Sequence, residues 1–230
     1  RIAKILDSVD SLKNKTITKD KIIEKLINSH FLKEVEKTNC ENIKLGNFIN
    51  FLTSGGRGWS KYFAEDGEYF IRVADVINET IKTDNPQFVI PPNNAEAKRT
   101  KTEEGDVVLS ITGSVGRAAV VTKKHINSFI SQHIALIRLD KNFLIPDYLV
   151  LLLSMEKFGQ NQIKKYQYGQ TKPGLNFEQI SNFVFPIPPI KIQKKILEEI
   201  ILIRKIKIKN LSKAQKIEEL NKAIQEEISK

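Results

Sequence analysis

The sequence predicts an α+β protein: one mixed globular domain flanked by two long helices that pair as a coiled coil. Three observations predict it. Residues 1–37 and 191–230 contain neither Gly nor Pro and are rich in Ile, Leu, Lys and Glu. Their apolar residues recur at alternating spacings of three and four, the heptad pattern of paired helices. Between them, short runs of branched and aromatic residues alternate with glycine-rich and polar turns, the pattern of strands. The expected boundaries are a helix over 1–37, a globular domain over 38–189 and a second helix over 190–230.

The first helix carries its seam on Ile2, Ile5, Val9, Leu12, Ile23 and Leu26, interrupted by Thr16 and Lys19 and ended by His30. The last carries Ile196, Ile200, Ile203, Ala214, Ile217, Ile224 and Ile228, interrupted by Lys207, Asn210 and Asn221. Shifted by 191 positions, Ile5, Val9 and Leu12 fall on Ile196, Ile200 and Ile203, and the polar interruptions also coincide. This predicts an internal repeat of about 191 residues. The chain opens on Arg1 rather than Met, so it is expected to start inside one repeat's helix. A helix of about 35 residues is roughly 50 Å long, and its seam needs a partner.

In the middle, strands are expected at Phe70–Val73, Phe88–Ile90, Val107–Ile111, Ala118–Val121 and Ile134–Leu139. Turns fall at Gly55-Gly56, Asn93-Asn94, Gly105, Gly113 and Gly116. Pro146 followed by Asp147 opens a helix expected to run past Gly159 to about Lys165. Pro186, Pro188 and Pro189 then end regular structure before the last helix.

Composition narrows the function. The chain has 230 residues, net charge +10 and 40% hydrophobic residues, enough to bury a core. No apolar run approaches the roughly 18 residues of a membrane span. A single cysteine, Cys40, excludes a disulfide framework and a cysteine-based zinc site, and fits a reducing cytoplasm. A basic balance points to an acidic partner, nucleic acid first. Yet residues 1–37 carry net +3, 191–230 net +5 and 38–190 only +2, so a nucleic-acid surface in the middle must be a local patch.

Catalytic signatures are sparse, and neither a catalytic nor a metal site is expected. His30, His125 and His133 lack metal-ligand spacing and read as solvated or core residues. There is no P-loop. Gly113-Ser114-Val115-Gly116 reads as a turn between strands. Asp84 with Glu96-Ala97-Lys98 has the residue types of a Mg²⁺ nuclease, but in polar, loop-like surroundings rather than on a buried strand. Asn85-Pro86-Gln87-Phe88 approximates an amino-methyltransferase motif without the accompanying glycine-rich loop, and reads as a turn into a strand.

Binding signals are stronger. Arg57 and Lys61 sit among aromatics in Gly55–Tyr62, Arg72 in an expected strand, Arg99 and Lys101 in an expected polar loop, and Arg117 after the Gly113–Gly116 turn. Tyr168, Gln170, Thr171 and Lys172 form a second polar-aromatic loop. Arg and Lys suit phosphates and guanine edges, and Gln suits adenine. These ten residues are the candidate nucleic-acid contacts, to DNA or RNA.

Four stretches then resemble one family in order. Tyr168–Leu175, Pro186-Ile187-Pro188-Pro189 and Gln193 look like the end of a target recognition domain in type I restriction–modification DNA specificity subunits. Arg1–Asp7 looks like the helix that follows such a Gln. Gly105–Gly116 and Phe70–Val76 resemble the family's G-D-I-L and F-I-R-x-x-D elements. Ile192 stands where Glu usually precedes the Gln, a departure that touches only the helix start. The resemblance implies two recognition domains per subunit, each followed by a helix, with the helices pairing antiparallel. The chain then corresponds to a central helix, one recognition domain and a distal helix, or to a half-subunit that dimerises. It also implies a non-catalytic subunit that reads one half-site of double-stranded DNA. Its helices would dock methyltransferase subunits, which carry S-adenosylmethionine, and a restriction subunit would complete the complex. The helix-pairing residues would be Ile5, Val9, Leu12, Ile23, Leu26, Ile196, Ile200, Ile203, Ile217 and Ile224. Two rivals remain at this point: an assembly module without DNA contact, and a nuclease using Asp84, Glu96 and Lys98.

Overall fold

The computed structural model describes residues 22–167 and 174–205. The chain divides into two compact units, Arg1–Asn39 with Lys195–Lys230, and Cys40–Lys194. No helix among the described residues is long and apolar enough to cross a membrane.

In the first unit, helix α1 (22–36) lies beside residues 195–205 of a helix over 190–205. Two ion pairs fix their direction. His30 Nε2 meets Glu199 Oε2 at 2.8 Å, and Lys195 Nζ meets Glu34 Oε2 at 2.7 Å. Moving four residues forward on one helix moves four residues back on the other, so the two run antiparallel. Ile23, Ile27, Phe31 and Val35 of α1 are buried, as are Ile196 and Ile200. Leu26, expected in the seam, is instead 51% exposed. The buried face of this stretch steps by four, 23–27–31–35, and a residue three after Ile23 turns outward. Ile203 is half-buried. The expected seam positions Ile5, Val9, Leu12, Ile217 and Ile224 lie outside the described residues. The α1 helix closes on Asn39 at φ 47°, a left-handed position that Asn tolerates, with the Thr38 hydroxyl donating to the Val35 carbonyl. Glu34 is buried and held by both Lys195 and Lys37. Those hydrogen bonds, Lys195's first, hold its carboxyl at about 2, well below the usual carboxylate range.

The second unit is built on a four-stranded antiparallel sheet. Its strands are β2 (Ile49–Ser54), β8 (Val107–Ser110), β9 (Ala118–Val120) and β11 (Ile134–Leu139), in the order β2-β11-β8-β9. The strands β8 and β11 are buried along nearly their whole length, which is why they read as continuous apolar runs. Against them pack Ile71, Val76, Val121 and Ile130, forming one core with Val108, Ala119, Ile134 and Leu136. A second sheet has the order β10-β4-β7-β3, from β3 (Phe63–Ala64), β4 (Glu68–Ile71), β7 (Phe88–Val89) and β10 (Phe129–Ile130). Its core is Trp59 with Phe70, Val89, Ala97 and Phe129. Two small antiparallel pairs complete the unit: β1 (Asn42–Lys44) with β12 (Val184–Pro186), and β5 (Val76–Ile77) with β6 (Thr80–Ile81).

Helix α3 (Pro146–Ser154) starts on its proline and buries both of its faces, packing on β9. It does not continue to Lys165 as expected. Met155 is extended, a wide π-type turn covers Glu156–Gln160, and α4 (Asn161–Gln167) resumes. The Gln160 amide bridges this break, donating to the carbonyls of Leu153 and Gly116. A short helix α5 (Phe177–Ser181) with a reciprocal Asn176–Gln179 cap precedes β12.

The short helix α2 (Ala95–Thr100) corrects a second expectation, the loop-like surroundings of Glu96-Ala97-Lys98. Asn94 caps it by accepting from the Ala97 N–H, the role for which Asn is favoured at a helix start. His125 is a buried core residue whose Nδ1 meets the Thr122 hydroxyl at 3.1 Å. Burial, then Lys124, lowers its pKa and keeps it neutral.

Candidate nucleic-acid interface

The pairing register of the central sheet gathers four connections at one end. Ser54, the last residue of β2, lies opposite Ala135, near the start of β11. Ile134 lies opposite Ser110, the last residue of β8, and Leu109 lies opposite Ala118, the first of β9. The loop after β2 (Gly55–Gly58), the turn before β11 (Ser131–His133) and the Ile111–Arg117 connection therefore share that end. So does Gly174, which bridges to Thr112, while the Leu175 N–H donates to Ile111.

Backbone contacts lock these loops together. Gly55 lies so close to the turn that a Cβ there would sit 2.0 Å from the Ile130 carbonyl oxygen. Only glycine fits that approach. The Ser131 N–H donates to Ile71, the Ser131 hydroxyl accepts from the His133 N–H, and the Ile111 N–H donates to His133. Gly116 holds φ 93°, with Ile163 and Gln160 of the helical layer directly beneath it. The Ser110 hydroxyl ties the same turn, donating to Ser114 O and accepting from the Arg117 N–H.

Three of the expected basic residues lie at this end of the sheet, spread from β2 to β9. Arg57 and Arg117 are exposed, with no side-chain partner among the described residues. Arg99, exposed on α2 rather than in a loop, places its guanidinium at the end of β2 by donating to Ser54 O at 3.1 Å. Lys101 is exposed just past α2, and Lys61 lies 5.0 Å above the Tyr62 ring. Tyr168, Gln170, Thr171 and Lys172 lie outside the described residues.

Arg72 does not present itself as a contact. Its guanidinium donates to Asp75 at 3.0 and 2.8 Å and to the Asn85 carbonyl, while its backbone N–H donates to the same carboxylate. It follows β4 rather than lying within it, and it clamps a short 3₁₀ turn over Val73–Asp75. Trp59, one of the aromatics of the first loop, is likewise structural: it stacks on Phe70 at 5.4 Å and its indole N–H donates to Glu96. The residues of the nuclease reading do not gather into a metal site among the described residues. Glu96 sits on a helix, engaged with Trp59, with Asp84 and Lys98 exposed, and no group of metal-ligating side chains forms among the described residues.

Three of the described stretches that carry the family resemblance supply locks in the scaffold. One is the Arg72–Asp75 clamp. A second is Asp106, 1% exposed, which accepts both arms of Arg138 at 2.8 and 2.9 Å and the Glu103 N–H at 2.7 Å. The third is Gln193, fully buried. Its carbonyl accepts from the Ile145 N–H, and its amide donates to Phe143 O and Pro188 O. Sequence reasoning missed two exposed polar residues of the sheet end, Gln132 and His133. Their signal was position: they immediately precede the strongest strand of the chain.

The model of the type I restriction–modification DNA specificity domain matches residues 37–222, and the chain belongs to that family. It is 24% identical, over 136 residues, to the specificity subunit of the type I restriction enzyme EcoBI of Escherichia coli, covering 59% of this chain and 28% of that protein. In fold it is similar to the HsdS subunit from Thermoanaerobacter tengcongensis (TM-score 0.59, 16% identity, 97% of this chain and 56% of that one). It is equally similar to the S subunit of a type I restriction–modification system from M. genitalium (TM-score 0.58, 16% identity, 96% and 58%). A chain in a structure of type I restriction–modification complex assembly gives a TM-score of 0.61 at 15% identity, over 96% of this chain and 57% of that one. The chain thus spans a little over half the length of these solved proteins.

Proposed function

We propose that this chain reads one half-site of a bipartite double-stranded DNA target within a type I restriction–modification complex. The observation that carries this is the placement of Arg57, Arg99 and Arg117 at the same end of the sheet as the Gly55–Gly58, Ser131–His133 and Ile111–Arg117 loops. Exposed Arg residues on rigid loops suit phosphate and guanine contacts, and turn register into position on the duplex. Tyr168, Gln170, Thr171 and Lys172 complete the reading surface in this proposal, with Lys61 and Lys101 at its margin.

The antiparallel helices extend as a coiled coil that sets the spacing between two half-sites, as dimer geometry sets half-site separation elsewhere. The second half-site is read by a second recognition domain of the same subunit or by a second copy of this chain. The helices also dock methyltransferase subunits, which carry S-adenosylmethionine, and a restriction subunit joins them. The chain itself makes and breaks no bonds, and works in the cytoplasm where its DNA is.

The test is selection from a randomised duplex library by the chain assembled with its methyltransferase subunits. Enrichment of a short motif is expected, with a footprint over it. Assembly without enrichment of any sequence would leave the assembly module as the correct reading.

A further inference from the structure

Thr112, His133 and Gln132 form an exposed hydrogen-bonded chain at the end of the central sheet, between the Arg57 loop and the Gly113–Gly116 turn. The Thr112 hydroxyl meets His133 Nδ1, and His133 Nε2 meets Gln132 Nε2 at 3.1 Å. An amide nitrogen only donates, so His133 Nε2 accepts and Nδ1 carries the ring proton, donated to Thr112. Gln132 is then left with one N–H and its carbonyl oxygen uncommitted among the described residues. With the amide turned over and the imidazole tautomer exchanged, the Gln132 oxygen accepts from His133, and both N–H groups and that oxygen's second lone pair remain, which still offers a donor beside an acceptor.

That pair is what adenine requires. In the major groove adenine offers the N7 acceptor and the N6 amino donor, and Gln matches both. An ordinary exposed Gln must give up its rotamer freedom to do this. Here the imidazole already holds the amide, and the imidazole is held by Thr112. The backbone beneath is fixed as well, through Ser131 to Ile71 on one side and through Ile111 to His133 on the other. Gln132 and His133 lie outside the stretches that carry the family resemblance, at the sheet end that also carries the Arg residues proposed to grip the backbone.

We propose that Gln132 is a specificity-determining residue that reads an adenine in the major groove, with His133 and Thr112 as its positioning residues. The proposal rests on the reading of this sheet end as the DNA interface. The experiment is the same library selection, run with the wild-type complex and with Gln132→Ala, Gln132→Glu and His133→Ala, with thermal melting of each variant as a fold control.

The wild type is expected to select adenine at one position. Gln132→Ala should relax that position about 5- to 150-fold and leave the others intact, the range for one bidentate base contact. Gln132→Glu, isosteric and exposed, should shift the preference there toward cytosine, whose N4 amino group suits a carboxylate. His133→Ala should weaken discrimination at the same position and no other. An unchanged base profile, or a uniform loss of affinity across all sequences, overturns the proposal while leaving the DNA reading standing. Failure of the wild type to select any sequence removes the DNA reading itself, so the two failures are distinct.

Discussion

Two residues show how tightly single side chains decide this fold. At Gly55 a methyl group would meet the Ile130 carbonyl oxygen at 2.0 Å and the Ser131 carbonyl carbon at 2.4 Å, both backbone atoms. Since backbone cannot swing away as a side chain end can, Gly55→Ala should cost at least about 1–3 kcal/mol, the usual overpacking penalty. Denaturant midpoints check it, and a variant as stable as the wild type would show that the loop stands off the turn. Asp106 is the opposite case, a buried carboxylate that is fully used. In Asp106→Asn the amide end faces donors it cannot accept from, and Arg138 loses its charge partner. Arg138 is partly exposed, with its side chain at 27%, and Glu103 also pairs with it, so water and Glu103 soften the loss. About 2–3 kcal/mol is expected, below the range for a fully buried pair. Thermal melting of the two variants against wild type separates these costs.

Helices and strands were legible in the sequence to different degrees. The runs at 107–111, 118–121 and 134–139 announced their strands because they are buried on both faces and rich in branched residues. The helix opening at Pro146 was legible from its first-turn proline, but its break at Met155 was not. That break is held by Gln160 and by Gly159 tucked against Leu153, contacts that no local pattern reveals. Leu26 was misassigned because a seam of three and four can be drawn two ways over so short a stretch, and only the partner helix decides. The pairing at Glu34 carries its own test. Its folded pKa of about 2 lies below the ordinary 4.5, because Lys195 and Lys37 stabilise the charged form. A depressed carboxyl contributes stability that is complete above about pH 4.5 and is lost as pH falls toward 2. Helix content followed by circular dichroism should therefore fall across that window more steeply in the wild type than in Glu34→Gln. Equal slopes would mean that the ion pairs between the helices add nothing to their association.

At the scale of the whole molecule, the net charge of +10 points the wrong way. Only +2 of it lies on residues 38–190, and much of the rest is on segments at the two ends that pair with acidic neighbours where they are described, as Lys195 does with Glu34 and Glu199. The reading surface could not be seen in the sequence because it is assembled by register. The β2–β11 pairing joins residues about eighty positions apart, and with the close approach of Gly55 to Ile130 it brings the Arg57 loop to the end that holds the turn at 131–133. Arg72 and Arg117 look alike in sequence, yet one is spent on Asp75 and the other is exposed without a partner among the described residues. Salt dependence separates these roles. Removing one cation from a phosphate should lower the slope of log K against log salt by about 0.9. The combined variant Arg57→Ala, Arg99→Ala, Arg117→Ala should therefore bind DNA more weakly, with a slope shallower by about 2–3. Arg72→Ala should lower the melting temperature while leaving the slope as it was, and Lys194→Ala with Lys205→Ala should change neither strongly. If the helix lysines carry the slope and the three arginines do not, DNA is held by the paired helices, and the sheet end serves some other partner.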